Sequence, residues 1–265
     1  MPADSGKLRR IRRWVEENKR QDANNRRSVN EPKEDAVVVT GLAGYFPGCM
    51  DVAAFFRHID RDEPLVGRID SGRVNLVTRE CGEQRSFLET QSGGFIPDIS
   101  SFDAELFGIL PMEAEEMDPR ERLLLMAVWR TLEDAGVEPG SLRKSATGVF
   151  IGCESNEYAQ LMARAGFVPS SGLGQADSMV ANRISYQFDL AGPSEVVNAT
   201  CAGFAVALHR AFAAIRSGSI DRAIVGAANI ILLPEPFRIL QHAGQLTSGL
   251  TVKSFGKESS GFLRA

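Results

Sequence analysis

Apolar and polar positions along the chain fall into a repeating order of strand and helix. Ala36-Val-Val-Val-Thr40 is a β-branched run closed by Gly41, the pattern of a strand buried on both faces, and Asp51–Ile59 follows as a short helix with Asp51 as N-cap. From Arg61 to Ile99 the chain is rich in Gly, Ser and charge without a clear period, which predicts mostly irregular structure. Asp118-Pro119-Arg120-Glu121 opens the clearest helix: Asp118 caps it, Pro119 takes the first helical position, Glu121 completes a capping-box-like pair, and Gly136 stops it. Its middle, Leu123 to Trp129, is apolar nearly all round and so predicts a buried helix. Thr147–Gly152 reads as a second strand, Asp177–Phe188 as a helix, and Ala191–Ser194 as a turn. Glu195–Ala199 reads as a third strand, Ala202–Ser217 as a helix stopped by Gly218, and Ala223–Asn229 as a fourth strand. This alternation predicts an α/β fold with a mostly parallel sheet covered by helices.

The first 34 residues form a separate region. Leu8, Ile11, Trp14 and Val15 fall at helical spacing between Lys7 and Arg20, and Arg12/Glu16 and Arg13/Glu17 can pair one turn apart. Gln21–Asp35 has almost no apolar residue and reads as a linker. Ten Lys/Arg against six Asp/Glu give residues 1–34 a charge of +4, so residues 35–265 carry −8 of the net −4. Two readings stand for this segment: a disordered tail, or a docking helix for another polypeptide. No aromatic platform accompanies the charge, so a nucleic-acid arm is not supported.

Composition excludes several classes. The 265 residues are 43% hydrophobic and 24% charged, an ordinary globular balance, and no apolar run approaches the 18 or more residues of a membrane span. With a polar, basic start in place of a secretory signal, this predicts a cytoplasmic location. Cys49, Cys81, Cys153 and Cys201 lie 32, 72 and 48 residues apart, with no CxxC pair and no histidines at ligand spacing, so neither a metal site nor a disulfide scaffold is expected. Gly41-Leu-Ala-Gly44 lacks the spacing and the Lys-Ser/Thr of a phosphate loop, and no bound cofactor is expected. Glu113, Glu115, Glu116 and Asp118 read as the acidic first turn of a helix rather than a catalytic pair.

The chemistry concentrates in Val196-Val-Asn-Ala-Thr-Cys-Ala-Gly-Phe-Ala-Val-Ala-Leu-His209, where a buried strand turns directly into an Ala-rich helix with Cys201 at the turn. Unpaired N–H groups and the positive end of the helix dipole favour a thiolate there, and Ala199, Ala202 and Gly203 keep the approach open, as a nucleophile elbow requires. The bland alternative is a buried structural cysteine. No histidine is placed to serve as its base: His209 lies eight residues along the same helix, about 12 Å up the axis, His58 on a charged helix, and His242 in a Gln/Gly-rich segment.

Several segments, in order, resemble the ketosynthase (β-ketoacyl synthase) domain of modular polyketide synthases. Val37-Val-Val-Thr-Gly-Leu-Ala-Gly-Tyr-Phe-Pro-Gly48 is similar to the family's opening strand and turn. Phe102-Asp103, Met117-Asp-Pro-Arg-Glu-Arg-Leu-Leu124, Asp134-Ala-Gly136, Gly148-Val-Phe-Ile-Gly152 and Ala181-Asn-Arg-Ile-Ser-Tyr186 match later signatures. Asn198-Ala-Thr-Cys-Ala-Gly203 aligns with the nucleophile motif D-T-A-C-S-S, keeping the cysteine but changing its neighbours, and Ser254-Phe255-Gly256 replaces a usual Phe-Asp. Such wording is similar to ketosynthases whose acyltransferase acts in trans.

The resemblance implies the N-terminal half of a duplicated thiolase-like fold over residues 35–265, with strand order 3-2-1-4-5 in which Gly261–Ala265 begins the fifth strand. It implies Cys201 as the catalytic nucleophile, taking acyl groups from the 4′-phosphopantetheine arm of an acyl carrier protein and, in the complete domain, serving decarboxylative condensation. It also implies a homodimer through the Glu195–Ala199 strand and an upstream synthase polypeptide as partner of residues 1–34. The family's two catalytic histidines, its lysine and a glycine-rich loop lie well beyond the nucleophile, whereas these 265 residues end 64 after Cys201. The expectation is therefore an incomplete ketosynthase whose C-terminal half is a missing partner, from a partial record or a split protein; the rival class is a non-catalytic docking fragment.

Overall fold

The structure, a computed structural model, describes residues 36–82, 85–154, 156–169, 175–247 and 249–265. The predicted docking helix and linker of residues 1–34 lie outside them. One compact unit runs Val39–Ala265.

In chain order the elements are α1 (Val52–Asp60), β1 (Gly67–Arg68), α2 (Ser71–Cys81), α3 (Arg85–Glu89), β2 (Ser92–Gly93), α4 (Pro111–Glu116) and α5 (Pro119–Asp134). A 3-10 turn at Pro139–Leu142 leads to β3 (Thr147–Cys153), α6 (Glu157–Arg164), α7 (Met179–Gln187) and β4 (Ser194–Val197). The chain continues through α8 (Gly203–Arg216), β5 (Arg222–Ala228) and α9 (Glu235–His242).

The central sheet is parallel, in the order β4-β3-β5. All seven residues of β3 are buried, because both its edges are paired and both its faces are covered. The period-2 alternation of the strand divides its side chains between two layers. Val149, Ile151 and Cys153 join Leu124, Leu125, Val128, Val180 and Ile184 of α5 and α7 in the main core. Phe150 faces the other way, onto Ala207 and Ala211 of α8.

This topology corrects the expected strand order. The third, second and fourth sequence-predicted strands lie side by side, with the second paired directly to the fourth, and residues 36–40 carry no strand; Val39 is 83% exposed. The reason is that β5 pairs with β3 along its whole length, from Thr147↔Arg222 to Cys153↔Ala228, once the α8 crossover has carried the chain over β3. β-branched propensity alone does not make a strand where no neighbour supplies the ladder. Phe262 and Arg264 make isolated bridges to Leu246 and Gly93, so Gly261–Ala265 does not extend the central sheet.

The region from Arg61 to Ile99 is also more ordered than its composition predicts. Asp70 caps α2 by accepting from the Arg73 N–H at 2.8 Å, Gly82 ends that helix at φ +65°, and Val74, Val77 and Leu88 bury in a small core with Phe95 and Phe237. β1 and β2 pair antiparallel beside it. For α5, Asp118 accepts from the Arg120 N–H at 2.8 Å as expected and Gly136 takes φ +64°, but Glu121 does not complete a capping box. Its carboxylate turns inward to full burial beside Arg183 of α7.

Candidate nucleophile site

Cys201 is exposed, between the end of β4 and the first residue of α8. The turn that carries it is tight. The Ala202 N–H donates to the Ala199 carbonyl at 3.0 Å and the Gly203 N–H to the Thr200 carbonyl at 2.9 Å. Thr200 sits in the left-handed region at φ +48°, and its N–H donates to Asn198 Oδ1 at 3.4 Å. This is the strand-turn-helix elbow that the sequence predicts. The thiol is exposed at the head of the helix rather than buried.

Two glycines let the elbow sit where it does. A Cβ on Gly152, the penultimate residue of β3, would stand 2.6 Å from the Gly203 carbonyl carbon and 2.7 Å from the Phe204 nitrogen. A Cβ on Gly203 would be 3.4 Å from the Gly152 Cα. The first turn of α8 therefore rests directly on the backbone of the central strand, and the head of the helix is fixed by the most buried element in the fold.

Cys153 is the contrast. It ends β3, is 4% exposed, and burial pushes its thiol up to about 11, with Arg120 opposing only in part. A cavity of about 350 Å³ runs along β4 from its first residue, Ser194, to Asn198 beyond its end, and is lined also by Cys153, Glu154, Ser178 and Asn182. Sequence reasoning missed this lining, since its residues come from three separated segments.

It also missed the buried charges of α5 and α7. Arg120 donates to Asp118 Oδ2 at 2.8 Å and to Asp177 Oδ1 at 3.0 Å. Arg183 donates to Glu113 Oε1 at 2.7 Å, and its Nε lies 3.7 Å from Glu121 Oε2. Neither Glu121 oxygen accepts a hydrogen bond among the described residues, and burial raises that carboxyl to about 8, Arg183 pulling the other way. The Arg-Glu spacing in Met117–Leu124 was visible, but its inward turn was not.

His209 is exposed on α8, His58 lies 3.0 Å from Glu63 Oε2, and His242 is exposed at the end of α9. Among the described residues no group of three or more His, Cys, Asp or Glu could hold a metal ion, and no helix is long and apolar enough to cross a membrane.

Residues 34–265 match the family described as Beta-ketoacyl synthase, N-terminal domain. The chain is 34% identical over 232 residues to "Polyketide synthase PksN" of Bacillus subtilis (strain 168), covering 86% of this chain and 4% of that protein. It is 43% identical over 243 residues to "Mellein synthase" of Phaeosphaeria nodorum, covering 89% of this chain and 14% of that protein. Among solved structures it is similar to the oxazolomycin ketosynthase domain OzmH KS7 of Streptomyces albus JA3453, with a TM-score of 0.73 at 31% identity over 85% of this chain and 40% of that one. The ketosynthase from module 6 of the bacillaene synthase of Bacillus subtilis 168 gives a TM-score of 0.72 at 28% identity over 84% and 36%. The chain thus spans a small part of these synthases and well under half of a solved ketosynthase chain.

Proposed function

The chain belongs to the β-ketoacyl synthase family, and on that premise we propose that Cys201 is the acyl acceptor of a polyketide synthase ketosynthase. The observation that carries the reading is an exposed cysteine on a strand-to-helix elbow at the head of α8. The Cys201 thiolate attacks the carbonyl of an acyl thioester held on the phosphopantetheine arm of a carrier protein. The Cys201 backbone N–H is one donor to the oxyanion that forms. Collapse forms the Cys201 acyl thioester and expels the pantetheine thiol. In the complete domain a malonyl-type extender then loses carbon dioxide, its carbanion attacks the Cys201 thioester, and the cysteine leaves as thiolate from a β-ketoacyl product. The base and the groups that stabilise the carbanion are assigned to the remainder of the complete domain, as the family resemblance implies.

The test is incubation with an acyl-pantetheine thioester followed by peptide mass spectrometry. An adduct on Cys201 that is lost in Cys201→Ser supports the reading. No adduct, where a complete ketosynthase acylates, favours the docking fragment instead. Condensation by these residues alone, without a complementing partner, would contradict the assignment of the remaining chemistry to the rest of the fold.

The partner readings follow from the same family. β4 borders the three-stranded sheet, and among the described residues no strand pairs with its outer edge, which suits pairing with its twin in a homodimer. Val197→Pro removes an N–H from that strand, and sedimentation should then show monomer or aggregate. The basic segment 1–34 suits an acidic tail of an upstream synthase protein. Deleting residues 1–30 should slow transfer from that protein's carrier at low salt and leave acylation by a free thioester unchanged.

A further inference from the structure

The face of the central sheet that packs under α5 and α7 changes character at its edge. On β3 that face carries Val149, Ile151 and Cys153, all in the main core. Ser194 pairs with Val149 and Val196 with Ile151, and paired residues of a ladder point the same way, so β4 offers Ser194, Val196 and, one step past its end, Asn198 to the same layer. Across from them runs α7, antiparallel to the strands: the segment after it is tied to the approach to β3, where the Lys144 N–H donates to the Asp189 carbonyl and the Ala191 N–H to the Ser145 carbonyl. Ser178, directly before α7, and Asn182, one turn on, line the cavity of about 350 Å³ together with those three residues. Val196 is the one aliphatic side chain among its eight described lining residues. Asn182 and Asn198 reach solvent, whereas the Ser194 hydroxyl is shielded from it and has no hydrogen-bond partner among the described residues. The charged groups of the lining, Glu154 and Asp177, are both acidic, which disfavours a carboxylate guest. Asn198 stands three residues before Cys201, so this end of the cavity lies within about 11 Å of the elbow.

We propose that this cavity receives the chain of the acyl group carried by Cys201, and that its lining selects an uncharged, hydroxyl-bearing chain over a saturated alkyl chain or one ending in a carboxylate. The proposal rests on Cys201 being the acyl acceptor. A saturated chain entering between α7 and β4 would strip water from Asn182 and Asn198 and leave Ser194 unpaired, with nothing returned. A hydroxylated chain offers each of them a donor and an acceptor, and a site made to bond a hydroxyl rejects the analogue that lacks it.

The test uses the 265-residue chain and three pantetheine conjugates: 5,7-dihydroxyoctanoyl, octanoyl and 7-carboxyheptanoyl. As amides, which cannot transfer the acyl group, they report binding by titration calorimetry; as thioesters they report acylation of Cys201 by peptide mass spectrometry, with iodoacetamide alkylation as the measure of the thiol itself. The dihydroxy amide should bind about fivefold or more tighter than the octanoyl amide, and the carboxylate weakest. The thioesters should acylate in the same order. Asn182→Leu and Ser194→Ala, made singly and together and checked by circular-dichroism melts, should bring the dihydroxy and octanoyl conjugates to within about twofold of each other and leave alkylation of Cys201 unchanged. Equal binding of the two in the parent chain, a preference that survives the double variant, or no binding of any amide overturns the proposal. If the amides discriminate as expected while no thioester acylates an alkylatable Cys201, the acyl-acceptor reading fails alone, and the cavity stands as a site for hydroxylated chains.

Discussion

Replacing Gly152 by alanine tests whether Cys201 is held by the central strand. The added Cβ would meet the Gly203 carbonyl carbon at 2.6 Å, the Phe204 nitrogen at 2.7 Å and the Gly203 oxygen at 2.9 Å. Ordinary carbon contacts begin near 3.5 Å, so the two backbones must separate by about 1 Å. Neither can do so cheaply. β3 is hydrogen-bonded along both edges, and the head of α8 is tied back through the Ala202 and Gly203 N–H groups. Overpacking against backbone lies at the upper end of the usual range, about 2–3 kcal/mol, and the lost freedom of the unfolded chain returns about 0.4–1 kcal/mol. A net loss of about 1–3 kcal/mol corresponds to a fall in Tm of roughly 3–10 °C for a chain this size. Gly226→Ala is the control on the neighbouring strand. Its Cβ would meet only side-chain ends, Ile151 Cδ1 at 3.2 Å and Leu124 Cδ2 at 3.4 Å, which can turn aside. Circular-dichroism melts of both variants, with the rate of Cys201 acylation, make the assay. Gly152→Ala should be less stable than Gly226→Ala and acylate more slowly. Equal stability and equal acylation in the two would refute the claim that β3 sets the elbow.

Burial raises the Glu121 carboxyl from its ordinary 4.5 to about 8, so the folded chain keeps a proton that the unfolded chain releases. Its contribution is complete below about pH 4.5 and is lost as pH rises to about 8; Glu121→Gln should flatten that fall, read from urea midpoints at pH 5 and pH 9. Glu157 accepts from the Leu232 and Leu233 N–H groups at 2.7 Å each and pairs with Arg264, all with its side chain buried. Glu157→Leu should lose about 3–5 kcal/mol in urea unfolding, and Glu157→Gln, which still offers a carbonyl, should lose less. Iodoacetamide at pH 8 should label Cys201 in the folded chain and reach Cys153 only after urea unfolds it, as peptide mass spectrometry would read.

What the sequence made legible follows the reach of local signals. α5 was readable because Asp118, Pro119 and Gly136 state its ends, and β3, β4, β5 and α8 because apolar runs sit between clear turns. α2 was not, since Gly72 and a low apolar content mask Val74 and Val77, whose partners Phe95 and Phe237 come from distant segments. α6 and α9 escaped for the same reason: Leu161 and Phe237 bury against residues far along the chain. Strand order was misread because pairing is set by the α8 crossover and by glycines that admit it, neither of which a strand's own residues report. At the site, Cys201 at the elbow was visible in eight consecutive residues. Thr200's left-handed backbone and the seat on Gly152 were not, because one is a dihedral and the other a contact across about fifty residues.

The two cysteines at the carboxyl edge of the sheet show why position on an element decides chemistry more than residue type does. Cys153 is the last residue of a strand paired on both sides, so its side chain points into the layer under α5 and α7, where burial holds it as a thiol. Cys201 comes four residues after the end of β4, past a left-handed turn that lifts the chain out of the sheet before α8 begins. The small residues around it serve both roles at once: Gly152 and Gly203 let the helix head descend onto the strand, and that descent leaves the residue just before it exposed. An exposed thiol at this point gains access and a fixed origin from one packing arrangement. The strain at Thr200 is then the local cost of turning a buried strand into an exposed helix head within a few residues.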